Sequence, residues 1–284
     1  MSVKLLRTVH EVRRETRLAR LHTQRIGLVP TMGFLHEGHA SLLRRAREVS
    51  DLVALSIFVN PTQFGPGEDL SRYPRDLDGD LAKAAAAGAD LAFVPTVEEM
   101  YPEGFQSCVE VRELSLGMCG DRRHGHFSGV ATAVLKLFQI VQPHVAFFGE
   151  KDYQQLQVVR RMVRDLDVPV EVVGIPTVRE RDGLALSSRN AYLTAEERRQ
   201  ALSLFRSLTS ARERWAAGER RGIELLGAAR RALDAEPGVK VEYLELRDAD
   251  SLREIDGEVG RPAVLAVAAF LGTTRLIDNL ILRG

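Results

Sequence analysis

Short runs of β-branched and aromatic residues alternate with helix-period patterns through the first two thirds of the chain. Ile26–Val29 predicts a strand, and a glycine-containing turn leads from it into a helix reaching about Val49, with Leu42, Leu43, Ala46 and Val49 on one face. Leu52–Val59 is an apolar run of the kind a strand buried on both faces requires. A helix from about Arg75 to Ala87 stops near Gly88, and Leu91–Val94 predicts another strand. Val109 and Val111 suggest a short edge strand. Val130–Val141 reads as helix, with Thr132, Lys136 and Gln139 as its narrow polar stripe. Val145–Phe148 then predicts a strand, Lys151–Leu166 a helix and Val170–Ile175 a strand. Strand alternating with helix in this way predicts an α/β fold, a doubly wound (Rossmann-like) parallel sheet.

The rhythm changes near Thr177. Thr194 and Glu197 form a capping box that opens a charged helix reaching about Gly218, and a second helix covers roughly Gly222–Ala235. Two strands follow, near Val241–Leu246 and Ala263–Phe270. Helices followed by strands predict a smaller C-terminal α+β domain, so residues 1–177 and 178–284 are the expected division.

Composition narrows the field without deciding it. The 284 residues are 45% hydrophobic and 27% charged, ordinary for a folded protein and too apolar for a disordered one. Lysine plus arginine and aspartate plus glutamate both total 39, and a zero balance argues against a nucleic-acid or membrane-surface binder. No apolar run approaches the ~20 residues of a membrane helix. Cys108 and Cys119 make no metal-type cluster and read as reduced thiols, which places the protein in the cytoplasm. The arginine-rich N-terminal stretch superficially resembles a transit peptide. Glu11 and Glu15 interrupt it, however, and Thr8 with Glu11 makes a capping box, so Thr8–Leu21 is expected to be a helix of the folded protein.

Open parallel sheets bind ligands beyond the carboxyl ends of their strands, where helix N-termini point inward. Three loops leave expected strands in that direction with unusual polar content: PTMGFLHEGH from Pro30 to His39, NPTQFG from Asn60 to Gly65, and GEKDYQQ from Gly149 to Gln155. His36 and His39 stand three apart at a helix start, and Gly33 and Gly38 let backbone approach a ligand closely. The pair suits phosphate oxygens, although a structural pair or a zinc site fits the residue types too; HEGH is one residue short of the H-E-x-x-H spacing. Lys151 could neutralise phosphate and Asp152 accept a ribose hydroxyl, where a solvated helix cap is the plainer reading. Gln155 lies in line with Val159 and Met162 on an apolar stripe, as either a hydrogen-bonded core residue or a ligand contact. Gln63, between Pro61 and Pro66, suits a small polar substrate, against the default of an exposed turn glutamine. LALSSRN, Leu184 to Asn190, offers two hydroxyls and the fork of Arg189, or simply feeds the helix capped by Thr194.

An H-x-G-H turn after the first long strand, followed much later by a serine–basic loop, resembles the adenylyltransferase and class I aminoacyl-tRNA synthetase superfamily. The fuller strings PTMGFLHEGH, FVNPTQFG, HFSGVATAV, FFGEKDYQQL, PTVRERDGLALSSRN, YLELRD and LGTTRLIDN resemble the pantoate–β-alanine ligase family over nearly the whole chain. That resemblance implies condensation of pantoate with β-alanine, using ATP and Mg²⁺, through a pantoyl-adenylate. By position it implies that Met32, Gly33, Phe34, Leu35, His36, Glu37, Gly38 and His39 form an ATP-binding turn, with His39 the proton donor and His36 its phosphate-contacting companion. Gly149, Glu150, Lys151, Asp152, Val178, Leu186, Ser187, Ser188 and Arg189 would complete the ATP contacts, with Lys151 acting beside the histidines. Gln63 and Gln155 would hold pantoate, and Gln63 would also lie near β-alanine. The family is generally homodimeric, with the smaller domain as a lid. The chain departs from its pattern at His124, Gln139, His144, Arg181 and Leu186, and Gly79 stands where an acidic residue is common before Asp80, which bears on how a metal is held near Asp78 and Asp80. Another nucleotidyltransferase of the same superfamily is the alternative reading. A catalytically silent nucleotide sensor and a zinc hydrolase are more distant ones.

Overall fold

Six strands, β1 (Lys4–Leu6), β2 (Ile26–Thr31), β3 (Leu52–Ile57), β4 (Leu91–Phe93), β5 (Val145–Gly149) and β6 (Glu171–Ile175), pair in parallel in the order β1-β4-β3-β2-β5-β6. This computed structural model describes residues 3–283; residues 1, 2 and 284, at the outer ends of the two expected domains, lie outside the described residues. Between the strands run α1 (Val9–Leu21), α2 (Glu37–Val49), α3 (Leu77–Ala86), α4 (Val97–Met100), α5 (His126–Val141) and α6 (Tyr153–Asp165).

The sheet is covered on both faces, which is why its central strands read as apolar runs rather than alternations. Val29, Val53, Leu55, Val145 and Phe147 share one core with Leu42, Leu43 and Ala46 of α2. Successive strand residues point to opposite faces, so Phe148 faces the other way, and there its ring meets Phe138 of α5 at 6.4 Å. α1 packs against α5 and β2 on that side. From β2 the chain winds outward through β3 and β4, then returns to lay β5 against the other edge of β2, pairing Gly27 with Val145 and Leu28 with Ala146. The winding direction therefore reverses between β2 and β5, and the carboxyl ends of those two strands flank the crevice where such sheets hold ligands.

The C-terminal part is built from α7 (Ala195–Ala216), α8 (Gly222–Asp234) and an antiparallel sheet β7-β8-β9, comprising Val239–Asp248, Ala263–Leu271 and Thr274–Leu282. Leu204, Leu208, Leu225 and Leu233 of the helices pack on Leu265, Val267 and Ala269 of β8. The chain divides into two compact units. The first comprises Met1–Ser115, Arg123–Glu150 and Gln155–Pro176; the second comprises Leu116–Arg122, Lys151–Gln154 and Thr177–Gly284.

The α/β class and the doubly wound parallel sheet are as the pattern predicts, and the antiparallel C-terminal sheet with its two helices is the expected α+β part. Two local expectations change, and two strands, β1 and β9, were not expected. No strand forms at Val109–Val111; the Val109 N–H donates instead to Thr132 Oγ1 at 2.9 Å, so a side chain takes the place of a neighbouring strand. β1 carries only three residues of weak pattern, and β9 buries Asp278 and Asn279, which hide its alternation. The helix expected from Lys151 starts two residues later, after a tight turn over Glu150–Asp152.

Candidate active site

At the end of β2 the Thr31 hydroxyl donates to the Ser56 carbonyl at 2.7 Å and accepts the Gly33 N–H at 3.2 Å, and the chain then turns sharply. Gly33 (φ +86°) and Phe34 (φ +52°) both lie in the left-handed region, where glycine is at ease and phenylalanine is not. The carboxylate of Asp80, from the first turns of α3, accepts the Phe34 N–H at 2.8 Å and the Leu35 N–H at 2.6 Å. His36 follows as the N-cap of α2: its Nδ1 accepts the Gly38 N–H at 3.1 Å, while the Nδ1 of His39 accepts the His36 N–H at 3.3 Å. The rings lie 4.1 Å apart, centroid to centroid. This is a capping box written with two imidazoles. Because both Nδ1 atoms are acceptors, each neutral ring carries its proton on Nε2, at the positive end of a helix. The Leu35 side chain is in the core and its N–H is held by Asp80, while the exposed Glu37 pairs with Arg44.

Gln63 closes a one-turn helix, Pro61–Gln63, after β3. Asn60, buried, donates to Gln63 Oε1 at 3.2 Å and to the Gly129 carbonyl at 3.1 Å, and accepts from Tyr101 Oη at 2.9 Å. The Gln63 amide in turn donates to Met32 Sδ at 2.9 Å, joining the two loops. Behind it, the Gln63 carbonyl accepts from His126 Nδ1 at 2.8 Å and from Arg123 Nη2 at 3.3 Å. Arg123 has no acceptor to offer, so its Nη1 donates to His126 Nε2 at 2.9 Å, which fixes that tautomer also. Arg123 forks onto Glu68 at 2.8 and 2.6 Å. Burial pushes the Glu68 carboxyl up, but the guanidinium outweighs it and holds it below the usual range. Gln155, on α6, is half-buried, and among the described residues its amide has no hydrogen-bond partner.

The remaining expected site residues belong to the second unit, except for Gly149 and Glu150, which end β5 and start the turn after it. Lys151 makes no ion pair among the described residues; its carbonyl accepts from Asn279 Nδ2 at 2.8 Å. Asp152 is exposed. Arg179 forks onto Asp278, only 3% exposed, at 2.6 and 2.9 Å, and also donates to the Gly183 and Asn279 carbonyls at 3.1 and 3.4 Å. That pair holds the turn carrying Val178 and Leu186, whose backbones bond at 3.0 Å, and leads to Ser187, which caps the short helix Ser188–Tyr192 by accepting the Arg189 N–H at 3.3 Å. Within this unit Lys151 and the serine–arginine loop are thus tied to neighbouring residues of β9.

Asp80, Asn60, Arg123, His126, Gly129 and Asn279 carry this geometry; sequence reasoning named Asp80 only as lying near a metal and gave the others no role. Asn60, His126, Gly129 and Asn279 lie inside strings that carry the family resemblance, the one signal that pointed near them. The residues present do not make a magnesium cage: Gly79 contributes no side chain, both Asp80 oxygens are engaged by backbone, and the described residues contain no group of three or more His, Cys, Asp or Glu able to hold a metal. The same holds for a zinc site on His36 and His39. No helix among the described residues is long and apolar enough to cross a membrane.

Comparison with known proteins agrees with the geometry. The family model described as pantoate-beta-alanine ligase matches residues 4–281. The chain is 54% identical over 281 residues to the pantothenate synthetase of Syntrophobacter fumaroxidans, covering 99% of both chains, and 55% identical over 286 residues to that of Myxococcus xanthus, covering 100% of this chain and 98% of the other. The crystal structure of pantothenate synthetase from Thermus thermophilus superposes with a TM-score of 0.92 at 52% identity, over 98% of this chain and 99% of that one. A pantoate-beta-alanine ligase from Francisella tularensis, complexed with beta-gamma ATP and beta-alanine, superposes with a TM-score of 0.79 at 32% identity, over 99% and 98%. From residues 4 to 281, this chain belongs to the pantoate–β-alanine ligase family, enzymes that form a C–N bond.

Proposed function

We propose that the chain condenses pantoate with β-alanine in two steps on one ATP. A carboxylate resists amine attack because it would have to expel oxide. In the first step the pantoate carboxylate therefore attacks the α-phosphorus; a P–O bond forms, the bond to the β-phosphate breaks, and pyrophosphate leaves. In the second, the neutral amine attacks the acyl carbon, AMP departs with the electron pair of the C–O bond, and the nitrogen gives up a proton to solvent or phosphate. The barrier of the first step is the approach of two anions. Prepositioned donors lower it without reorganising at the moment of reaction.

The observation that carries this reading is the histidine capping box. It fixes both rings by their Nδ1 atoms at the start of α2, and imidazoles beside a helix N-terminus suit a triphosphate. In this account His36 and His39, carried on the turn from Met32 through Gly38, meet ATP. Gly149 to Asp152, Val178 and Leu186 to Arg189 supply its other contacts, with Lys151 and Arg189 as the cations. Gln63 and Gln155 hold pantoate, and Gln63 also faces β-alanine. Neutral amides at those two positions favour an unphosphorylated acid over the phosphorylated substrate of another nucleotidyltransferase. Mg²⁺ belongs here as a companion of ATP, held by phosphates and not resident in the chain. A homodimer in the cytoplasm is the setting we propose.

A coupled assay for AMP tests the reading. Release should require ATP, pantoate and β-alanine together, and pyrophosphate should appear with ATP and pantoate alone. His39→Ala and Lys151→Ala should each lower single-turnover adenylation by roughly 10²–10³-fold with the fold retained. Near-normal rates in both variants would remove these residues from the mechanism.

A further inference from the structure

We propose that Asp80 is a positioning residue that locks the histidine turn in its working shape, and that it is not a metal ligand. It is 1% exposed, and both carboxylate oxygens are spent on successive backbone N–H groups, from Phe34 to Oδ2 at 2.8 Å and from Leu35 to Oδ1 at 2.6 Å. A buried carboxylate is costly unless its lone pairs are met. Here they are met by the segment that leads into His36. Gly33 and Phe34 both have positive φ, which turns the following amides to one side and makes a small anion-binding concavity. In many proteins such a nest takes a phosphate. In this chain it is filled from within by Asp80, so the turn holds its shape with or without nucleotide.

Three further observations point the same way. Phe34 is strained at φ +52°, and the clamp on its own N–H holds it there. A Cβ placed on Gly33 would come to 3.0 Å from Asp80 Oδ2, so the turn closes onto that oxygen. Burial raises the Asp80 carboxyl above its ordinary range, and the two N–H bonds to it oppose that shift. Lys83, the neighbouring cation on α3, lies over the Phe34 ring at 5.9 Å.

The inference rests on the ligase reading above, and the test separates the two. Asp80→Asn keeps the shape but turns an NH₂ donor toward one of the N–H groups. With saturating substrates kcat for AMP formation should fall about 10²-fold, the effect of misplacing catalytic groups by about 1 Å, while the Mg²⁺ concentration giving half-maximal rate stays unchanged. ¹⁵N NMR of the imidazoles should show His36 and His39 as fixed Nε2–H tautomers in the wild type and as averaging tautomers in the variant. Phe34→Gly, added to Asp80→Asn, should return part of the lost kcat, because glycine holds the left-handed conformation unaided. Nucleotide-free wild type should bind no Mn²⁺ by electron paramagnetic resonance, a readout that needs no variant to fold. The proposal is overturned if the half-activating Mg²⁺ concentration rises and excess Mg²⁺ restores the rate, or if the nucleotide-free wild type binds Mn²⁺ stoichiometrically. It is also overturned if Asp80→Asn lowers only Tm, or leaves the imidazole signals unchanged. Absence of AMP formation by the wild type would defeat the ligase reading, with the imidazole and Mn²⁺ results still deciding the role of Asp80.

Discussion

What a histidine offers a phosphate depends on which nitrogen is already engaged. At His36 and His39 the backbone occupies Nδ1, and at His126 the Gln63 carbonyl and Arg123 fix the opposite tautomer. Single atoms thus decide the roles of residues whose sequence context says only that they are histidines. The Glu68–Arg123 pair behind Gln63 gives a pH signature with a definite sign. Glu68 has its folded pKa depressed, so its contribution is complete above the ordinary glutamate value, about 4.3, and is lost only as pH falls through the lower folded value. The difference in unfolding free energy between wild type and Glu68→Gln should be constant from about pH 8 to 5 and shrink below about pH 4; a difference already fading near pH 6 would contradict the pairing. Local chemistry marked the histidine pair, Lys151 and the two glutamines as candidates in the sequence. The clamp made by Asp80 was not legible, and the residue read only as a neighbour of a metal, because its partners lie 45 and 46 residues away and Asp76 and Asp78 look the same in a helix start.

At the scale of elements, α5 is an apolar helix with a glycine where propensity would favour alanine. A Cβ on Gly129 would meet the Thr62 carbonyl oxygen at 2.3 Å, and both atoms are anchored. Helix propensity alone would make Gly129→Ala stabilising by up to about 1 kcal/mol. The collision instead should push the Pro61–Gln63 turn away and break the Asn60 bond to the Gly129 carbonyl. We expect the variant to be less stable than wild type in thermal unfolding and to show pantoate KM raised by about tenfold or more, since 1.4 kcal/mol of lost binding is a factor of ten. A gain in Tm with unchanged KM would show that the turn is free to yield. The strands and helices themselves were largely readable, because β2, β3 and β5 are buried on both faces and because the capping boxes at Thr8 and Thr194 form as spelled. β9 resisted because Asp278 and Asn279 are buried for the partners they find in the fold, and the expected strand at Val109–Val111 failed because two β-branched residues do not guarantee a neighbouring edge.

At the scale of the molecule, the division of the chain does not follow sequence order. Lys151–Gln154 groups with the C-terminal unit although both flanking segments group with the first. Asn279 explains part of this, since its amide bonds the Lys151 carbonyl across 128 residues of sequence, next to the buried Arg179–Asp278 pair. No local pattern announces such a tie. Asn279→Ala should lower adenylation by roughly tenfold or more through misplacement of Lys151, with little change in pantoate KM; an unaltered rate would sever Lys151 from β9. The central claim, that pantoate is activated as an adenylate, is tested most directly with pantoate bearing ¹⁸O in both carboxylate positions. One labelled oxygen should appear in AMP and one in the amide of the product, read by mass spectrometry. Label found in inorganic phosphate or pyrophosphate, or AMP released without it, would contradict the account.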